Sequence, residues 1–253
     1  MKYYNEIVDM GCFTREDLCL LTGNYNTANS LIRYALRSGE IKAVKRDLYV
    51  AIDLADKEPV VSKFRIAGAI TETGYVSHHA AFEYYGCANQ VSYQIEVSSD
   101  KRFTPFDFNG NTYVFMQSRI PDGVSKRQDG VRVTDMERTI LDGINDFDKV
   151  MGIEELLRCI MLIPTLDETK LLKYLAAYQK QAMYQKVGYI LRNFQKEFRL
   201  SDAFFGECAA HIGKSARYLL AHKTGVFQRE WRLIAPNDLL SVTMKGIDED
   251  ADI

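Results

Sequence analysis

The sequence predicts an α+β protein in two parts, a small N-terminal module over residues 1–55 and a larger domain over 56–253. Three observations predict this division. Two short amphipathic helical patterns, separated by Gly23 and followed by a basic alternating stretch, fill the first fifty residues. Strand-like alternation mixed with helical periodicity continues to about residue 150. Beyond it, apolar residues recur mainly at three- and four-residue spacing, the signature of helices.

Composition narrows the class. With 47% hydrophobic and 11% aromatic residues the chain can bury a core and is not disordered. No segment approaches the roughly 18 apolar residues needed to span a bilayer. The start, Met1-Lys2-Tyr3-Tyr4-Asn5-Glu6, lacks the apolar run of a secretory signal. A cytoplasmic protein with no membrane partner is expected. The five cysteines are scattered without any Cys-x-x-Cys pair, which fits ordinary buried thiols in a reducing compartment. Net charge is -2, but it is segregated. Residues 22–50 hold five basic side chains against Glu40 and Asp47, and residues 170–232 hold twelve against four acidic ones. The end, Asp248-Glu249-Asp250 and Asp252, is acidic. Such segregation is expected where separate surfaces meet separate partners.

Residues 3–10 read as a first helix, with Tyr4, Ile7 and Val8 inward. Thr14 stands where an N-cap belongs, and Glu16 and Asp17 in the first turn favour the helix dipole. Phe13 and Leu18 have the spacing of a hydrophobic staple, and Leu18, Cys19 and Leu21 line the inner face. Gly23, free to adopt positive φ, supplies the turn. Asn24 or Asn26 caps the next helix, which runs to about Ser38 with Ala28, Leu31, Ile32, Ala35 and Leu36 inward; Gly39 ends it. A hairpin follows, with Ile41 and Ala43 on one face, Lys42 and Val44 on the other, and a turn at Lys45-Arg46-Asp47 before Leu48-Tyr49-Val50.

This order, two helices at a Gly-containing turn and then a basic hairpin, is the pattern of a winged helix-turn-helix. The outer face of its second helix carries Asn24, Tyr25, Asn26, Thr27, Asn29, Ser30 and Arg33. Asn suits bidentate contact with adenine, Arg with guanine, and Ser or Thr with bases or phosphates. Arg37, Lys42, Lys45 and Arg46 are candidates for holding phosphates. Double-stranded DNA is therefore the expected partner. The competing expectation is a winged helix used for protein contact, its polar face merely solvated.

In the second part, 60–73 reads as a helix, followed by Gly74 to Gly86 as a cap and a further helix. Residues 91–98 alternate cleanly, with Val91, Tyr93, Ile95 and Val97 on one face, as in a half-buried strand. Phe106 to Phe115 is a hairpin around Asn109-Gly110. Val131-Arg132-Val133 is another strand, and Thr134-Asp135-Met136-Glu137 a capping box opening a helix over 138–144. The stretch 170–232 interleaves Tyr174, Tyr178, Tyr184, Tyr189, Phe194 and Phe198 with cations. The rings suit a helical core better than base stacking, while the cations suit a DNA backbone or a partner.

Enzymatic expectations are poor. His78 and His79 are adjacent and point about 100° apart on a helix, so they do not make a metal site with Cys87. A metal-dependent nuclease is the alternative function, but Glu96-Val97-Ser98-Ser99-Asp100-Lys101 lacks the Glu-x-Lys pairing that holds Mg²⁺ at a strand end. No phosphate-binding Gly-rich loop is present in the sequence. No catalytic residue, metal or cofactor is expected.

Six segments together resemble the AbiEi family, the antitoxin and transcriptional regulator of abortive-infection toxin–antitoxin systems. They are Phe13-Thr14 to Leu21-Thr22-Gly23; Gly39-Glu40-Ile41 to Leu48-Tyr49-Val50; Gly74 to Ala81; Thr134 to Asp142; Val187-Gly188-Tyr189-Ile190-Leu191; and Trp231-Arg232-Leu233-Ile234-Ala235-Pro236. The family often has Gly at the hairpin turn, where this chain has Asp47, a residue that tolerates left-handed backbone. The resemblance implies a winged helix that binds inverted repeats upstream of its own operon and represses it. It also implies a C-terminal domain taking part in cooperative repression and in countering a nucleotidyltransferase-like toxin, without a stable complex with that toxin.

Overall fold

The computed structural model describes residues 3–220 and 225–243. Its class is α+β, and the described chain divides into two compact units. The first comprises Met1–Val76, Tyr93–Gln117 and Lys126–Val133; the second comprises Ser77–Ser92, Ser118–Ser125 and Thr134–Ile253. The expected joint at 55/56 lies inside the first unit. Ile52 forms an antiparallel bridge with Pro59, and the Asp53 N–H donates to the Glu58 carbonyl at 2.8 Å. Residues 53–58 are thus a closed loop and not a linker.

The first unit opens with α1 (Tyr4–Met10), β1 (Cys12–Thr14), α2 (Arg15–Thr22), α3 (Tyr25–Ser38), β2 (Ile41–Lys45) and β3 (Leu48–Ala51). Thr14 caps α2 through a full capping box: its hydroxyl accepts from the Asp17 N–H, and Asp17 Oδ2 accepts from the Thr14 N–H at 2.7 Å. Gly23 ends α2 at φ +67°, in the left-handed region where a Cβ is disfavoured. Asn24 is the cap of α3, its Oδ1 accepting from the N–H groups of Asn26 and Thr27. β1, β3 and β2 form one antiparallel sheet in that order. Ile7, Phe13, Leu18, Ala28, Ile32, Ala35, Ile41 and Tyr49 make a single core beneath it.

Two details depart from strict periodicity. Leu36 is 40% exposed, because Ala35 and Ile32 already fill the inner stripe of α3. In the hairpin the register shifts between Ala43 and Lys45, so Val44 is buried and Ala43 exposed, the reverse of simple alternation. A bulge adds one residue to a strand and turns the following side chain to the other face.

The unit continues with α4 (Lys63–Ala69), shorter than the expected 60–73 because the Ser62 hydroxyl caps it at the Arg65 N–H. It then contributes β4 (Tyr75–Val76), β5 (Gln94–Ser99), β6 (Phe106–Phe108), β7 (Asn111–Gln117) and β9 (Arg132–Thr134), in the order β6-β7-β5-β4-β9 with the short β8 (Val124–Lys126) at one edge. The β6–β7 turn places Asn109 and Gly110 both at positive φ, as a tight hairpin requires. β5 is central and runs parallel to β7, so residues from Ile95 to Ser99 are buried on both faces. The expectation of a half-buried strand from 91 fails for that reason: Val91 and Tyr93 precede it and are exposed.

The second unit holds α5 (His78–Tyr84), α6 (Met136–Asn145), α7 (Ile153–Met161), α8 (Glu168–Tyr178), α9 (Gln181–Arg192), α10 (Gln195–Phe198) and α11 (Asp202–Ala210). α6 starts two residues early, because Asp135, not Thr134, is its cap. Thr134 is instead buried, its hydroxyl sharing a 2.7 Å hydrogen bond with Thr139. After the helices comes a small sheet that periodicity did not predict, of β10 (Arg217–Tyr218), β11 (Val226–Gln228) and β12 (Leu233–Ala235). Trp231, just before β12, lies against Gly188 of α9, where a built Cβ would stand 2.1 Å from its ring. Helix propensity would favour Ala over Gly by about 1 kcal/mol, whereas overpacking costs about 1–3 kcal/mol. Gly188→Ala is therefore expected to lower the urea midpoint; a raised midpoint would show that the indole yields freely.

Candidate nucleic-acid interface

The polar face of α3 is outward over most of its length: Asn26, Thr27, Ser30, Arg33 and Arg37 are exposed, and Asn29 is half-buried. Asn24 is exposed too, but its carboxamide oxygen is occupied in capping. That corrects its expected part as a bidentate partner for adenine, since only the amide donor remains. Tyr25 is exposed and tethered; its hydroxyl accepts from Arg15 Nη1 at 3.3 Å. The Arg15 contact, followed by one with Asn29, holds the Tyr25 phenol below its usual range.

The β2–β3 hairpin turns at Arg46 and Asp47, with Asp47 at φ +59°. Asp is among the few non-glycine residues that enter that region readily. Arg46 projects with its side chain 98% exposed, and Asp47 Oδ2 lies 3.8 Å from its Nε. Lys45 is half-buried; burial, and then the charge of Lys101, draws its ammonium below the usual lysine range. Lys42, expected at a phosphate, donates to the Lys57 carbonyl at 3.1 Å, so part of its donor capacity is used within the chain.

Arg15 is the residue that sequence reasoning missed. Its Nη2 pairs with Asp47 Oδ1 at 2.8 Å while Nη1 reaches Tyr25, so one guanidinium touches α3 and the hairpin turn from the first position of α2. Hydrogen bonds to Tyr25 and then Tyr49 hold it more firmly protonated than a free arginine. The signal was present: a cation in a first turn is opposed by the helix dipole. Its place beside Glu16 and Asp17 called for a partner elsewhere.

The second unit answers the remaining expectations. The six rings between Tyr174 and Phe198 are buried, which assigns them to the core and leaves them unavailable for stacking. Several of the interleaved cations are paired internally, Lys170 with Asp135 and Glu137, Lys173 with Asp122, and Arg192 with Asp202 and Glu230. His222 and the acidic end at 248–252 lie outside the described residues. The neighbouring imidazoles diverge: His78 Nε2 is 3.7 Å from Asp146, and His79 Nε2 is 3.3 Å from Glu155.

His79, Glu155 and Cys159 bring three potential ligand atoms within 4.8 Å of one another, all buried. The donor set does not fit an ion. Glu155 Oε1 accepts the N–H groups of Asn89 and Gln90, both at 2.9 Å, with Cys159 Sγ at 3.4 Å. The oxygen itself occupies the centre of its donors, and zinc would need ligands at about 2.0–2.3 Å. Burial would raise the Glu155 carboxyl, but these hydrogen bonds, led by Gln90, outweigh it and draw it down. In the possible strand-end site, Glu96 is buried and accepts the Gln94 amide at 3.0 Å.

No family model and no curated protein matches the chain. Among solved structures, the crystal structure of the RV2827C protein from Mycobacterium tuberculosis is similar, with a TM-score of 0.63 at 14% identity over 98% of this chain and 95% of that one. The likeness is one of fold.

Two outcomes follow from these environments. Arg15→Ala removes a partly exposed pair of the kind that adds little to stability, so the urea midpoint should hardly move; a large loss would make Arg15 a core element. Burial pushes the Cys159 and Cys208 thiols up from 9.0 to about 12. Folded thiols stay protonated while unfolded ones ionise, so their contribution is complete below pH 9.0 and disappears toward about 12. Alkylation at pH 8 should label neither cysteine until the protein is unfolded, and rapid native labelling of either would contradict the burial.

Proposed function

We propose that this protein is a transcriptional regulator that binds duplex DNA through its N-terminal module, a winged helix-turn-helix in which α3 reads bases and β2–β3 is the wing. The supporting observation is one composite surface. Asn26, Thr27, Asn29 and Ser30 lie along the first half of α3 with Arg33 just beyond it, and Arg15 joins that helix to the hairpin turn beside Lys45 and Arg46. A helix presenting amide and hydroxyl groups from its N-terminal half, with a guanidinium just beyond them, suits the major groove, and cations at a hairpin tip suit the adjoining backbone.

The resemblance of six sequence segments to AbiEi extends the proposal. The DNA would be an inverted-repeat operator upstream of the protein's own operon, bound cooperatively by several copies to repress it. The functional counterpart would be a nucleotidyltransferase-like toxin, in the cytoplasm, countered without catalysis or cofactor. Co-expression tests this part: the chain should restore growth to cells making the toxin encoded beside it, and continued arrest would remove the antitoxin assignment. Incubation with duplex and Mg²⁺ should leave the DNA intact, whereas cleavage that tracks the purified protein would favour a nuclease.

Two variants separate base reading from backbone attraction. Joint replacement Lys45→Ala and Arg46→Ala should weaken all duplexes alike and flatten the salt dependence by about two units, near 0.9 per phosphate contact. An unchanged slope would take the wing out of the interface. Asn29→Ala should cost about 1–3 kcal/mol on the preferred operator and much less on unrelated DNA; equal loss on both would deny it a base-reading part.

A further inference from the structure

The first unit carries a second pair of exposed cations, Lys101 and Arg102, in the loop that leaves the buried end of β5. They line the same groove, of about 1070 Å³, as Arg15, Lys45 and Arg46. The loop is anchored on both sides. Ser99, fully buried, shares hydrogen bonds with Thr71 at 2.7 Å and Thr73 at 3.0 Å, and its hydroxyl accepts the Lys101 N–H at 3.0 Å. Thr73 Oγ1 accepts the Asp100 N–H at 3.2 Å. Just past the cations, Phe103 packs edge-on against Phe106 and Phe115, with centroids 6.2 and 5.7 Å apart.

Four acidic residues also line the groove, and two of them are committed to partners. Asp17 is held in the capping box of α2, and Asp47 pairs with Arg15. Glu16 and Glu72 remain, while no described carboxylate pairs with Lys101 or Arg102. Like charges held close by a rigid backbone repel one another, and an external anion relieves that repulsion. A free loop would simply separate them; this one is fixed by hydroxyls and a ring.

We infer that Lys101 and Arg102 form a second phosphate clamp for duplex DNA, continuous with the wing, so that the backbone-gripping surface is shared between the N-terminal module and the loop after β5. The inference rests on the DNA-binding proposal above and assigns backbone contacts to residues outside the helix-turn-helix. Contacts of this kind add affinity without sequence preference.

The test uses the full chain, a duplex from upstream of its gene and a scrambled duplex of equal length, with anisotropy titrations across a range of salt. Lys101→Ala with Arg102→Ala should reduce the salt slope by about two units and weaken both duplexes by the same factor, leaving the ratio between them unchanged. The charge-preserving pair Lys101→Arg with Arg102→Lys should keep the wild-type slope. An unchanged slope in the alanine pair, or a lost slope in the charge-preserving pair, overturns the clamp while the DNA-binding proposal stands. Absence of salt-dependent affinity in the wild-type chain overturns both.

Discussion

Rotation of α3 about its own axis is the constraint from which the proposed interface follows. Ala28, Ile32 and Ala35 share one core with Phe13, Leu18 and Tyr49, and that burial fixes which side chains point outward. A fully buried Ile contributes about 1.5–3 kcal/mol, while a partly exposed ion pair such as Arg15 with Asp47 contributes far less. Apolar packing therefore sets the orientation, and the polar contacts trim it. Any residue that shifted the stripe by one position would turn Asn26, Ser30 and Arg33 away together.

On that frame, side chains of modest energetic weight make arrangements of greater consequence. Arg15 reaches α3 and the hairpin turn at once, bridging them with a planar, multiply donating group. Tyr25 is in turn held by Arg15. Binding benefits because a side chain already oriented loses less entropy when it meets a ligand. The same logic applies to the proposed clamp, whose loop is pinned by Ser99 and Thr73.

The second unit follows a different economy. The six rings between Tyr174 and Phe198 are core, several of its cations, Lys170, Lys173 and Arg192 among them, pair with nearby carboxylates, and Arg138 is buried with Asp142 at 2.9 Å and two backbone carbonyls. Breaking such a pair leaves an uncompensated charge, so the cluster constrains sequence more than it stabilises the fold. Glu155 is enclosed by its own hydrogen-bond donors.

Local chemistry was legible from the chain alone. The caps at Thr14 and at Asn24, the latter one of two asparagines the sequence offered, the ends at Gly23 and Gly39, the Asn109-Gly110 turn and the outward face of α3 depend on residues within about four positions of one another, and short-range sterics dictate them. Long-range pairing decided the remainder. Two-residue β4 has no periodicity to detect and exists because β5 and β9 flank it. The bulge that buries Val44, the double-sided burial of β5 and the meeting of Lys101 with Lys45 bring together positions that are distant in sequence, or depend on partners that are. Hydrogen-bond geometry between strands and competition for a finite core select among such pairings, and neither is written in any short window of residues.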